Sequence, residues 1–138
     1  MKKFIRLDTV GEWRGTEKVS SVGVSSFVPG HESFEKGVSC YRLDNQAEAF
    51  KSLLDYWTEI AMLDKAEDYE DMQITIFEGE QLEGIGSDYE DMAICERIIA
   101  EIDAKPIMKV AIEAYFEEKY GDMDEEELDE ILNGIELI

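Results

Sequence analysis

The spacing of apolar residues changes about a third of the way along this chain, and that change limits the folds open to it. The first part contains three short runs rich in β-branched and aromatic residues, KFIRLDTV, KVSSVGVSSFV and GVSCYRL, with glycine or proline between them. Such runs are typical of β-strands joined by turns. Beyond them, apolar residues recur mostly at intervals of three and four, the spacing of one face of a helix. The chain is therefore predicted to begin with strands and to continue mainly with helices.

A helix is predicted from Asn45 to about Met62. Asp44 or Asn45 can cap its first turn, and Glu48 stands three residues after Asn45, as a capping box requires. Its apolar side is formed by Phe50, Leu53, Leu54, Trp57, Ile60 and Ala61. We expect this side to lie against the sheet, with the aromatic residues in the core.

Residues 72–86, MQITIFEGEQLEGIG, return to a two-residue period and predict a hairpin with Gly79 near its turn. A helix is predicted next, because Ser87 and Glu90 have the capping-box spacing and a helical stripe follows, ending before Pro106. That stripe consists of Met92, Cys95, Ile98, Ile99 and Ile102. A strand stays open as the alternative for residues 97–102, RIIAEI.

Two further helices are predicted toward the C-terminus. Pro106 suits the first position of one, which Gly121 ends, and the segment DMDEEELDEILNGIELI forms the other, with Gly134 as its cap. At 138 residues and 44% hydrophobic content the chain can form one ordinary core. We therefore expect a single α+β domain over residues 1–138, with about five mostly antiparallel strands packed on helices and a helix-rich, acidic C-terminal half.

The charge of the chain is large and unevenly distributed. The formal net charge is −21, from 34 acids and 13 lysines and arginines. Residues 1–45 hold seven bases and six acids, whereas residues 46–138 hold six bases and 28 acids, a balance of −22. Such a field repels DNA, RNA and anionic membranes and attracts basic surfaces. The charge argues against direct binding to nucleic acid or a membrane and favours a basic protein partner.

Residues suited to catalysis are scarce. His31 is the one histidine, and its setting, VPGHES, is a loop in which a solvated histidine is the ordinary interpretation. The segment Gly84-Ile85-Gly86 lacks the last glycine of a phosphate-binding loop and is followed by acids. No EF-hand spacing is present. We predict no catalytic residues, no cofactor and no dedicated metal site.

The chain is predicted to be a cytoplasmic protein. No apolar run reaches the roughly 18–20 residues that span a bilayer, and MKKFIRLD becomes charged too early for a signal peptide. Cys40 and Cys95 lie far apart and form no CxxC motif. We interpret both as small buried thiols in a reducing compartment.

The pentapeptide DYEDM occurs twice, at residues 68–72 and 88–92. The first copy leads into the predicted strand and the second into the predicted helix, so a duplicated structural unit is not expected. Chance in an acid-rich chain is one explanation. The other is functional, because both copies flank the predicted hairpin, which would bring six acids and two tyrosines onto one surface. Charge reversal of these acids is then expected to weaken partner binding without unfolding the chain.

Clustered acids such as AEDYEDM, GSDYEDM and GDMDEEELDE, with small size and few catalytic residues, resemble the small acidic anti-defence proteins of phages and mobile elements. These are the anti-CRISPR and antirestriction inhibitors. The resemblance implies a non-enzymatic inhibitor that binds the basic nucleic-acid-binding surface of a CRISPR or restriction nuclease, as a DNA mimic or a steric block. The candidate contact residues are Asp68, Tyr69, Glu70, Asp71, Asp88, Tyr89, Glu90, Asp91, Glu117, Glu118, Asp122, Asp124, Glu125, Glu126, Glu127, Asp129 and Glu130.

Three other functions stay open. Bacterial immunity proteins, the acidic antidotes of nuclease toxins, have the same character and imply the same use of carboxylates. A metal-dependent enzyme built on carboxylates belongs to a different class. An acidic domain with no inhibitory role is the last alternative.

Four tyrosines can add apolar contact area to an acidic surface, or can belong to the core. They are Tyr69, Tyr89, Tyr115 and Tyr120. The distinction matters because exposed ion pairs are individually weak, at about 0–1 kcal/mol, so a tight complex needs buried anchors or many pairs. Tyr115 is expected to be a core residue.

Overall fold

The computed structural model of the protein describes residues 2–12, 18–20, 37–83 and 91–137. Its elements, in chain order, are β1 (Lys2–Glu12), β2 (Lys18–Ser20), β3 (Val38–Arg42), α1 (Gln46–Asp55), a π-helical turn (Tyr56–Ile60), a 3₁₀ turn (Ala66–Tyr69), β4 (Met72–Leu82), β5 (Asp91–Asp103), α2 (Ala104–Tyr120) and α3 (Glu125–Gly134). These elements confirm the predicted α+β class.

Four strands pair in a closed ring, and each of the pairings is antiparallel. β1 pairs with β4 over eight residues, and β4 pairs with β5. β3 completes the ring, because Tyr41 pairs with β1 while Val38–Cys40 pair with β5. β2 is a three-residue strand that pairs with the end of β1. Among the described residues the ring has four strands, slightly fewer than the sequence suggests.

The main core lies between one face of the sheet and the described helices. Ile5 and Leu7 of β1 and Ile74 and Ile76 of β4 belong to it, as the alternation of side chains along a strand requires. The helices contribute Phe50, Leu53, Leu54, Met108, Ala111, Ile112, Leu128 and Leu132, all of them buried. The predicted packing of the first helix against the sheet is confirmed for Phe50, Leu53 and Leu54. Trp57 and Ala61 are half-buried, and Ile60, also expected on this side, is 57% exposed.

A second, smaller core lies on the other face of the sheet, inside the ring of strands. It consists of Phe4, Val38, Cys40, Phe77, Ala93 and Cys95, with Ile98 packed against it. The rings of Phe4 and Phe77 stack with their centroids 5.4 Å apart. Both cysteines are buried and neither is in a disulfide, as the sequence predicts.

Burial in the small core raises the pKa of the Cys95 thiol from 9.0 to about 11. At pH 8 the thiolate is therefore about 100-fold less populated in the folded protein than in the unfolded chain. We expect the single thiol of a Cys40→Ala variant to react with a disulfide reagent at least about 100-fold more slowly when folded than in denaturant. Equal rates in the two states would contradict the burial of Cys95.

The same pKa shift makes the free energy of unfolding decrease at alkaline pH. Because the folded pKa lies above the unfolded value, the stability due to the protonated thiol is full below pH 9.0 and is lost as pH rises toward about 11. The Cys95→Ala variant serves as the control, since it lacks the loss of stability at alkaline pH that the Cys95 thiol causes.

Two helix ends follow the predicted capping residues, whereas α2 begins two residues before Pro106, the predicted first position. Asn45 Oδ1 accepts a hydrogen bond from the Glu48 N–H at 3.2 Å at the start of α1. Gly121 follows α2, and its N–H donates to the Glu117 carbonyl at 2.9 Å. The first helix differs from the prediction in one respect, because it changes into the π-helical turn after Asp55.

The helix predicted over residues 92–102 is wrong, because this segment belongs to the long strand β5. In its pairing with β4, β5 skips Glu96 and Ile99, so each is the extra residue of a β-bulge. A bulge shifts the alternation of faces by one residue and leaves Cys95 and Ile98 in the same core three residues apart. That spacing imitates a helical stripe. The strand alternative for residues 97–102 is confirmed.

The hairpin formed by β4 and β5 is longer than predicted. Gly79, expected near the turn, lies within β4 and pairs with Cys95, and β4 continues to Leu82. The predictions that concern His31, Gly84–Gly86 and the capping box of Ser87 and Glu90 fall outside the described residues.

Candidate interaction surface

Acidic side chains are concentrated on α2, on α3 and in the segment between them. Between residues 113 and 130, eight acids are exposed and two, Glu118 and Asp129, are half-buried. The exposed ones are Glu113, Glu117, Asp122, Asp124, Glu125, Glu126, Glu127 and Glu130. The structure thus brings together the candidate contact residues from Glu117 to Glu130 and leaves each of them at least partly accessible. We call these ten residues the acidic face.

Part of the acidic face also holds the helices in place. Asp124 Oδ1 accepts a hydrogen bond from the Glu127 N–H at 2.8 Å and so caps α3. Lys51 Nζ of α1 lies 3.1 Å from Glu125 Oε1 and also contacts Asp129. The side chains of Glu126, Glu127 and Glu130 make no hydrogen bond or ion pair with the residues described, so they are the acids of α3 best placed to serve binding alone.

Two bases beside this surface, Lys119 and Lys105, are paired with acids. Lys119 Nζ lies 2.8 Å from Glu59 Oε1, and this hydrogen bond raises the pKa of Lys119. Lys105 Nζ lies 3.7 Å from Glu70 Oε1. Since each of these cations faces a carboxylate of its own chain, the field outside the helices stays negative.

The first DYEDM copy forms a structural turn that buries its tyrosine. Asp68 Oδ2 accepts hydrogen bonds from the N–H groups of Asp64 and Lys65, at 3.1 and 3.2 Å, and so holds the 3₁₀ turn. Tyr69 is fully buried in the main core. Its selection as a partner contact is therefore corrected, because no part of the ring reaches the surface. Glu70 and Asp71 are exposed.

The described part of the second copy is also structural. Asp91 begins β5, and its Oδ2 accepts a hydrogen bond from the Arg42 N–H at 3.3 Å while its Oδ1 accepts one from Gln81 at 3.2 Å. Asp88, Tyr89 and Glu90 lie outside the described residues.

The first copy and Asp91, where the described part of the second copy begins, do not share one surface, contrary to the hypothesis drawn from the sequence. The first copy ends where β4 begins, and Asp91 begins β5, which pairs with β4 in the antiparallel sense. The starts of two antiparallel strands lie at opposite ends of a hairpin. With 11 residues in β4 at about 3.3 Å each, Asp71 and Asp91 are separated by roughly 30 Å.

The described tyrosines divide between core and surface. Tyr115 is buried, as expected, and its hydroxyl donates to Asp55 Oδ1 at 2.6 Å. Burial, and then this hydrogen bond, raise the pKa of Tyr115. Tyr120 is 77% exposed at the end of α2, where it contacts the ring of Phe116. Among the described tyrosines proposed for partner contact, Tyr120 is the one that is available.

Sequence reasoning missed a cavity of about 330 Å³ beside β1 and β3. Its lining consists of Arg6, Leu7, Asp8, Ser39, Tyr41, Tyr56 and Trp57. Arg6 Nε donates to Asp8 Oδ1 at 2.6 Å in a buried ion pair. The sequence does indicate this ion pair. Phe4, Arg6 and Asp8 alternate along β1, so the charged pair shares one strand face with Phe4. Rings and an ion pair give the cavity both flat apolar and polar walls.

Metal-binding and membrane-spanning features are not found in the part of the chain that the structure describes. No three or more His, Cys, Asp or Glu side chains there are arranged to hold a metal ion. No helix in the described ranges has the length and apolar character needed to cross a membrane. Comparisons of the chain with family models, with curated proteins and with solved structures found no match.

Proposed function

We propose that this chain is a non-enzymatic inhibitor that binds the basic nucleic-acid-binding surface of a nuclease in the cytoplasm. The observation that supports it is the acidic face, in which carboxylates are held on two ordered helices, beside which Lys51, Lys105 and Lys119 are already paired with acids. The carboxylates would form ion pairs with the lysines and arginines that otherwise hold phosphate.

The density of charge on α3 suits this role. Its ten residues, at about 1.5 Å of rise each, span about 15 Å. Its five acids all lie in the first six residues, within about 9 Å along the helix axis, and Lys51 offsets one of these charges. The four remaining charges are spaced about 2 Å apart on average, close to the roughly 1.7 Å of axis per charge in duplex DNA. A CRISPR or restriction nuclease has a groove built for such a charge density, and this favours mimicry of DNA.

The test is binding to purified CRISPR effector and restriction nucleases, with duplex DNA as the competitor. We expect a complex that weakens with added salt and that DNA displaces. A complex that DNA leaves intact would replace mimicry by a block at another surface. If a nuclease toxin added to the panel is bound in preference, the chain acts as an immunity protein.

Charge reversal tests the acidic face itself. The triple variant Glu126→Lys, Glu127→Lys and Glu130→Lys changes side chains that make no described contact, so the fold should persist. We expect the affinity for the nuclease to fall about 100-fold, as three favourable pairs of up to about 1 kcal/mol each become repulsive.

A matched control has the same change of charge on a different surface. Glu80, Glu83 and Glu96 are exposed acids near the turn of the β4–β5 hairpin, and their replacement by lysine should cost much less affinity. Equal losses in the two triple variants would show that net charge, and not the acidic face, governs binding.

A further inference from the structure

Three large apolar side chains are exposed at one end of the helical layer. Ile60, Met62 and Tyr120 are 57%, 80% and 77% exposed. We propose that these residues, the anchor patch, form the apolar contact through which the chain holds a basic protein surface. The inference rests on the proposed function and adds to it the contacts that exposed charges, being individually weak, do not supply.

Two contacts place the members of the patch at the same level. Tyr115 of α2 donates to Asp55, and one turn later Lys119 pairs with Glu59. Both segments advance by four residues between these contacts, so α2 runs beside the end of α1 and the π-helical turn in the same direction. Ile60 and Met62 therefore lie at the end of the π-helical turn, at the level at which Tyr120 ends α2.

Met62 occupies a backbone conformation that disfavours it. Its φ is 60°, in the left-handed region, and its side chain is 80% exposed. Glycine is the usual residue directly after a helix in this conformation, because it has no Cβ to clash. A large apolar side chain at this position contributes almost no burial to the fold and adds strain. Its presence is consistent with a contact made outside the chain.

The negative charges around the anchor patch favour a basic partner. α2 and the π-helical turn both end beside it, so the negative ends of two helical dipoles lie there. Glu59, Asp64, Glu117 and Asp122 are exposed in the chain around it. Lysines are present at positions 65 and 119, and Lys119 is neutralised by Glu59. An apolar patch with an acidic border complements a basic surface that presents apolar side chains.

The probe is a pair of synthetic arginine-rich peptides of equal length and charge, with leucines between the arginines in one and glycines in the other. Affinities are measured by calorimetry at fixed salt. Both peptides report attraction by charge, and the ratio of the two affinities reports the apolar contact. We expect the leucine peptide to bind about tenfold more tightly to the wild-type chain.

The variant Ile60→Ser, Met62→Gly, Tyr120→Ser should bring this ratio close to one while the glycine peptide binds as before. Met62→Gly alone should lower the ratio and leave the Tm unchanged or higher, since glycine relieves the strain. Val110→Ser is the matched control, because Val110 is also exposed on α2, at 47%, and lies about 15 Å along the helix from Tyr120. It should leave the ratio as in wild type.

Failure of each idea has its own signature. An unchanged ratio in the triple variant, or an equal loss in Val110→Ser, overturns the anchor patch and leaves the acidic face as the site. If neither peptide binds the wild-type chain, attraction of basic partners fails, and the anchor patch fails with it. Reversal of Glu126, Glu127 and Glu130 should weaken both peptides equally and keep the ratio.

Discussion

Replacing Tyr69 with alanine is expected to lower the free energy of unfolding by about 3–5 kcal/mol, as for other large aromatic side chains removed from a core. The ring is 0% exposed and packs in the main core, and α2 approaches the 3₁₀ turn that carries it. Its removal leaves a cavity that the surrounding strands and helices cannot fill. Unfolding in urea, followed by circular dichroism at pH 7, measures the change. A loss near zero would instead suit the contact role that the sequence suggests for Tyr69.

The Tyr69→Phe variant distinguishes the contribution of the hydroxyl to stability from that of the ring. The hydroxyl donates to the Leu63 carbonyl at 3.3 Å, so its removal should cost only about 1 kcal/mol. Burial raises the pKa of Tyr69 above its ordinary value of 10.0, and Asp68 and Asp64 add to the effect. The protonated Tyr69 hydroxyl therefore contributes its whole share of the stability below pH 10.0, and this contribution declines above pH 10.0. The phenylalanine variant should lack that decline.

Gly79→Ala is expected to destabilise the hairpin by about 3 kcal/mol, at the upper end of overpacking. A Cβ on Gly79 would lie 2.0 Å from the Ile94 carbonyl oxygen and 2.9 Å from its carbon. These are backbone atoms of the paired strand, beside the bulge at Glu96, so no side chain can move to make room. Relief requires β4 and β5 to separate. Urea unfolding and hydrogen exchange of the β4 amides should both report the loss.

Gly134→Ala is the matched control for this substitution. A Cβ at Gly134, the last residue of α3, meets no atom within 4 Å. Alanine also favours a helix over glycine by up to about 1 kcal/mol, so the variant should be as stable as wild type or slightly more stable. If both variants had wild-type stability, β4 and β5 would not approach each other at Gly79 as closely as the structure shows.

Local physical chemistry explains which parts of the fold the sequence predicts well. Caps and apolar stripes act within a few residues, and Asn45, Gly121 and Gly134 mark helix boundaries that the structure has, while Pro106 lies two residues inside the start of α2. The two-residue period of KFIRLDTV likewise predicts β1. Each of these signals depends on neighbours in the chain, so it can be interpreted before any packing is known.

Long-range pairing explains what sequence reasoning missed. The bulges of β5 depend on its register with β4, and by changing the alternation of faces they turned a strand into an apparent helical stripe. The mistaken hairpin then placed the two DYEDM copies together, although the first copy and Asp91 lie at opposite ends of the paired strands. Tyr69 was assigned to the surface by its acidic neighbours, whereas the packing of its turn against α2 buries it.

The sequence by itself determined the class of fold, most helix ends and a strongly negative field in residues 46–138, because these follow from composition and local spacing. Only the tertiary structure decided where that field is presented. It left the acids of α2 and α3 accessible, used Asp68 and Asp91 to hold turns and strands, and brought Ile60, Met62 and Tyr120 to one end of the helices. The physical reason is that exposure and proximity arise from contacts between residues far apart in the chain, and no local pattern encodes them.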